Sequence, residues 1–182
     1  MAAVDMAGRG GSVRMQAWTN AVASEMYCFT GEEYGFRASL EEARTLLSGT
    51  AEDEPWGGIA WFDLAKADAY EGSDLVRLGR FEEALPSLDL AIDRLSPDML
   101  RHRCTAFVSR AEAHAGAGNV DGACADGHVA LDLVARVQHR ETLRRVTELH
   151  RRLRRHRTTG TRSLGEHVLD ARTALPAAGS RA

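Results

Sequence analysis

His102 and Cys104 stand two residues apart, the spacing at which two metal donors would first be sought. On a helix, neighbours two apart point in different directions, so this pair cannot close on one ion and reads as a surface histidine beside a buried cysteine. His150 and His156 sit among arginines whose charge repels a cation. Gly8-Arg9-Gly10-Gly11 is glycine-rich, yet it lacks the spacing and the preceding strand of a phosphate-cradling loop. Serines, histidines and acids are present, but no Gly-x-Ser-x-Gly elbow sharpens a nucleophile, and Glu52-Asp53-Glu54 reads as a solvated loop. These residues argue against an enzyme and call for no metal or cofactor.

Positive charge is the remaining concentration of chemistry. Arg144, Arg145, Arg151, Arg152, Arg154 and Arg155 surround an apolar stripe of Leu143, Val146, Leu149 and Leu153, spaced three and four apart. That is an amphipathic helix. It suits a helix capping the last apolar flank of a helical stack, with its arginines toward solvent. The alternative is a nucleic-acid-associated protein using this basic face on phosphate backbones. No aromatic residue is interleaved with the arginines, so stacking on single-stranded bases is not expected.

The elements that must position such groups are helical throughout. Gly31, Phe36, Leu40 and Ala43 lie at offsets 0, +5, +9 and +12, and Gly79, Ala84, Leu88 and Ala91 repeat them, as do Gly118, Ala123, Gly127 and Ala130. A glycine ending one helix, followed by small and apolar residues on one face of the next, is the requirement of stacked helical hairpins. The pattern predicts a tail at 1–11, hairpins at about 12–48, 56–95 and 100–137, a capping helix at 139–157, and a short helix and tail within 158–182. Helix-terminating glycines adopt left-handed backbone, which is expected at Gly79. Pro86, inside a predicted helix, removes the bond to the Glu82 carbonyl and should kink it.

Composition fits one helical domain: 182 residues, 44% apolar, four prolines. Apolar runs fall far short of the ~20 residues of a membrane span, and no secretory leader is evident, so a cytoplasmic protein without membrane contact is expected. Cys28, Cys104 and Cys124 suit reduced, packed thiols. The net charge of −3 hides net −10 over residues 1–100 and net +7 over residues 101–182, an asymmetry that favours charged partners or head-to-tail homo-oligomers.

Leu78-Gly79-Arg80-Phe81-Glu82-Glu83-Ala84 resembles the turn and second-helix opening of a tetratricopeptide repeat, with an aromatic two residues after glycine and alanine at +5. Gly72 and Ala111 occupy the small-residue position of the first helices, and Tyr27 the late aromatic position. The units are 48 and 39 residues apart where the family's are ~34, a length that also admits HEAT-like solenoids. The resemblance implies an all-α, right-handed α-α solenoid of about three hairpins and a C-terminal capping helix. First helices of such units line the concave face. That implies a protein- or peptide-binding groove near Trp18, Glu25, Lys66, Tyr70, Ser73, Arg77, Ser109 and Glu112. The family's lysine and asparagine carboxylate clamp is not present.

A narrower similarity is to the C-terminal region of actinobacterial helix-turn-helix regulators. It runs through Pro55-Trp56, Trp61-Phe62, Tyr70-Glu71-Gly72, Leu78-Gly79, Ala84 and Leu88, Arg101 and Arg103, Ala123-Cys124, His139-Arg140 and Leu149 to Leu153. It implies a sensor or interaction part in transcriptional regulation, with a DNA-binding regulator as partner. Residues 1–50 already read as the first repeat, so DNA binding is not carried over.

Overall fold

The computed structural model describes residues 12–49 and 62–175, and local chemistry explains where its helices begin and end. In order these are α1 (Val13–Thr30), α2 (Glu33–Ser48), α3 (Leu64–Arg77), α4 (Phe81–Arg94), α5 (Leu100–Gly116), α6 (Val120–Val137), α7 (Arg140–Leu153) and α8 (Thr159–Ala174). A 3-10 turn, Arg154–His156, joins α7 to the α8 approach. No strand occurs among the described residues. The expectations for 1–11, Gly8 to Gly11, Glu52 to Glu54 and the extreme C-terminus lie outside them.

Side chains cap several N-termini. Ser12 Oγ accepts from the Met15 N–H, Asp63 Oδ1 from Lys66, Asn119 Oδ1 from Gly122 and Thr158 Oγ1 from Thr161. Each such cap is worth about 1 kcal/mol. Asp63 also corrects the expected helix start near Trp56, because its extended backbone (φ −138°, ψ 177°) opens α3 only at Leu64.

Gly31, Gly79 and Gly118 are left-handed, at φ 75°, 74° and 82°. In all three turns the next residue's N–H reaches back to a carbonyl five residues earlier: Glu32 to Tyr27, Arg80 to Leu75, Asn119 to His114. This is the Schellman closure. It folds α1 onto α2, α3 onto α4 and α5 onto α6. Pro86 lies in α4, and the helix runs on through it to Arg94.

Arg157 takes φ 52° with no glycine, 39 residues after Gly118, the step that also separates Gly79 from Gly118. Beyond it α8 begins at Thr159 and packs on both α6 and α7. The capping expectation for 139–157 is therefore revised. Helix α7 buries Thr142, Val146, Leu149 and Leu153, and α8 covers it with Thr161, Leu164, Val168 and Ala171. A left-handed backbone costs a non-glycine residue ~1–2 kcal/mol. Arg157→Gly is accordingly expected to stabilise the protein by about 1 kcal/mol, read as a higher thermal midpoint, and a lowered midpoint would contradict this geometry.

The hairpins are knitted together by arginines as well as by apolar packing. Arg44 on α2 bonds Asp68 and Glu71 on α3 at 2.7 and 2.8 Å, and Arg94 on α4 bonds Asp68 at 2.9 Å. Arg110 on α5 holds Asp126 on α6 through two hydrogen bonds and Asp89 on α4 through a third. The three cysteines are buried, and burial beside Asp74 pushes the Cys28 thiol up to about 12. They pack as small hydrophobes.

Candidate functional site

A cleft of about 290 Å³ opens where α1, α3, α5 and the start of α7 meet. It is lined by Glu25, Lys66, Ala69, Tyr70, Ser73, Arg77, Arg101, His102, Thr105 and His139. Residues 66, 69/70, 73 and 77 recur at three and four, so one face of α3 forms its floor. Glu25 descends from α1 and joins Arg77 at 2.8 Å. Arg101, His102 and Thr105 come from the first two turns of α5, and His139 is the residue before α7.

The two ends of the cleft differ. At one end Arg77 is fully engaged, pairing with Glu25, donating to Asp74 Oδ1 at 2.8 Å and lying 5.5 Å over the Phe29 ring. Asp74 is completely buried, accepts from Ser24 Oγ at 2.8 Å, and burial pushes its carboxyl up to about 6. At the other end Lys66 is 5% exposed, with Asp63 at 3.8 Å. Desolvation lowers the Lys66 pKa. His102 keeps an open solvent edge, yet crowding round its ring lowers its pKa, and Lys66 pushes the same way. His139 is lowered by burial and then by Arg101, and its Nδ1 lies 2.8 Å from Thr142 Oγ1.

Glu25, Lys66, Tyr70, Ser73 and Arg77 thus come together in one cleft, and the other three groove candidates stand elsewhere. Trp18 lies with Tyr70 on the core that holds Phe62. The Phe62 and Tyr70 rings meet edge-on at 5.9 Å. Ser109 is buried against Ser73, with the two Oγ atoms 2.9 Å apart, and Arg145 donates to it. Glu112 is held by the same arginine at 2.6 Å. Ser109 and Glu112 are therefore part of the α5–α7 packing.

Arg145 leaves the basic face for the same reason. Of the other patch residues, Arg144 and Arg151 each bond the glutamate three positions earlier, Glu141 and Glu148, through two nitrogens. Arg152, Arg154 and Arg155 are exposed. The face is consequently less basic than its composition suggests.

Sequence reasoning missed Arg101, Thr105 and His139, and weighed His102 only as a metal ligand. One signal was available. Thr105 lies 13 residues before Gly118, as Lys66 lies 13 before Gly79, so the register that selected Lys66 also selects Thr105. Among the described residues no three metal-ligating side chains converge, and no helix is long and apolar enough to cross a membrane. Compared with known proteins, the chain matches no family model, no curated protein and no solved structure.

Proposed function

We propose that this chain is a tetratricopeptide-like scaffold, its hairpins stacked as a right-handed solenoid, that binds a segment of a partner protein in the cleft between α1, α3 and α5. The observation carrying this reading is the convergence of five residues selected by repeat register, Glu25, Lys66, Tyr70, Ser73 and Arg77, on that one cleft. The three left-handed glycine turns at matching positions support the repeat geometry. A part in transcriptional regulation, in the cytoplasm and next to a DNA-binding regulator, rests on the similarity of the stretches from Pro55 to Leu153.

The test should block the cleft without disturbing its structural bonds. Tyr70 and Arg77 are poor choices, since one packs edge-on against Phe62 and the other holds Asp74. Ala69 and Thr105 line the cleft and are half-buried. The Ala69→Glu/Thr105→Glu variant is expected to melt near the wild type and to lose, in affinity purification from the native cell, a partner that wild type retains. Recovery of the same proteins by both would overturn the reading.

A further inference from the structure

We propose that the Lys66, Arg101, His102 and His139 end of the cleft is an oxyanion site for a phosphate monoester, carried by a small molecule or by a phosphorylated side chain of a bound segment. The inference rests on reading this cleft as the ligand surface and adds the chemistry of the ligand.

Three separate segments bring nitrogen donors to one place: Lys66 from the start of α3, Arg101 and His102 from the first turn of α5, and His139 just before α7, with Lys66 and Arg101 supplying the charge. Neither Met99 at the head of α5 nor His139 at the head of α7 caps its helix with a side chain. The positive ends of both helix dipoles thus add to the side-chain charge. Arg101 is exposed and its guanidinium forms no hydrogen bond or ion pair among the described residues, so it is available. The nearby acids are committed. Asp63 caps α3 and sits 3.8 Å from Lys66, Glu141 is bonded twice by Arg144, and Glu25 is paired with Arg77 at the opposite end.

The titrating groups show the same imbalance. His102 faces Lys66, Arg101 and Asp63, and His139 faces Arg101, Arg145 and Glu141. In both cases the neighbouring cations hold the imidazole below its usual range, after burial. An anion seated among them reverses that effect. Donors converging from several directions suit three tetrahedral oxygens and a double charge better than a planar carboxylate. Glu25 at the far end disfavours a second anionic group there.

Imidazole NMR titration of the full chain tests this, with phenyl phosphate and an acetyl-Ala-phosphoserine-Ala-amide peptide as probes. Glutarate and the unphosphorylated peptide are the comparisons, all at matched ionic strength. Saturation by either phosphate probe is expected to raise the pKa of His102 and His139 by about half a unit or more. Arg101→Gln should weaken binding about five-fold, with Arg152→Gln unchanged. Response to phenyl phosphate alone assigns a small-molecule source, and response to the phosphopeptide assigns a modified segment; both support the site. Unmoved histidines, equal shifts with glutarate, or indifference to Arg101→Gln would overturn it. Should Arg101→Gln unfold, His102→Gln replaces it, with His139 as the reporter. If the phosphate probes fail while the Ala69/Thr105 variant still loses its partner, the inference falls and the scaffold reading stands. A phosphate response with no cleft-dependent partner leaves the ion site and removes the scaffold reading.

Discussion

Gly72→Val is expected to destabilise the protein by about 3 kcal/mol or more, because the added side chain has no room at the α3–α4 crossing. A Cβ built on Gly72 lies 2.4 Å from Leu88 Cγ and 3.3 Å from the Ala84 carbonyl oxygen. Leu88 cannot swing away, because it is fully buried in a cluster with Phe36, Leu40, Leu75 and Ala84. The only relief is to push α3 and α4 apart, which opens the packing on both sides of the crossing. Helix propensity works the other way, since alanine is favoured over glycine by about 1 kcal/mol, and that gain is too small to offset the overlap. Gly49, whose added Cβ comes no closer than 3.9 Å to the carbonyl oxygens of Leu46 and Thr45, is the control. Urea unfolding should show Gly49→Ala near wild type and Gly72→Val with a much lower midpoint. The double variant Gly72→Ala/Leu88→Ala should cost less than the sum of its single changes, because truncating Leu88 removes the atoms that the new methyl overlaps and the methyl fills part of the space left. Similar midpoints for the Gly72 and Gly49 variants would mean that α3 and α4 do not cross this closely.

Asp74→Asn should remove a pH dependence of stability that the wild type shows between about pH 4 and pH 6. The folded carboxyl titrates near 6 instead of its ordinary 3.8, chiefly because it is buried, with Glu25 adding to the rise and Ser24 and Arg77 opposing it. Over that interval the folded protein holds a proton that the unfolded chain has released, so stability falls as pH rises. The contribution is fully present below the unfolded pKa and lost once pH passes the folded one. At ~1.4 kcal/mol per unit the shift corresponds to about 3 kcal/mol. The amide of the Asp74→Asn variant cannot titrate. Relative to wild type, the variant should therefore gain about 2 kcal/mol between pH 4 and pH 7, measured by denaturant unfolding at each pH. Parallel pH profiles for the two proteins would show that Asp74 carries its charge without penalty.

Legibility followed the range of the interactions involved. The turns at Gly31, Gly79 and Gly118 could be read directly, since a left-handed backbone is a property of one residue and glycine tolerates it best. The bounds of α4, α5 and α6 were equally plain from their apolar periods, and one face of α3 was enough to bring Lys66, Tyr70, Ser73 and Arg77 into a single cleft. Periodicity within a helix survives whatever surrounds it.

The rest depended on which helices lie against one another. Arg145 and Arg144 are adjacent in a run of basic residues, yet one is drawn inward by Glu112 and Ser109 of α5, and the other faces solvent with Glu141. Arg157 makes the last turn without glycine, because α8 gains enough burial against α6 and α7 to hold a left-handed arginine in place. His139 and Arg101 reach the cleft only because α7 packs beside α5. Sequence alone determined a run of helical hairpins and the face of α3 that lines the cleft, whose causes are local. Tertiary structure decided which charges meet, since a long side chain at a helix edge takes its partner from whichever neighbour the packing supplies.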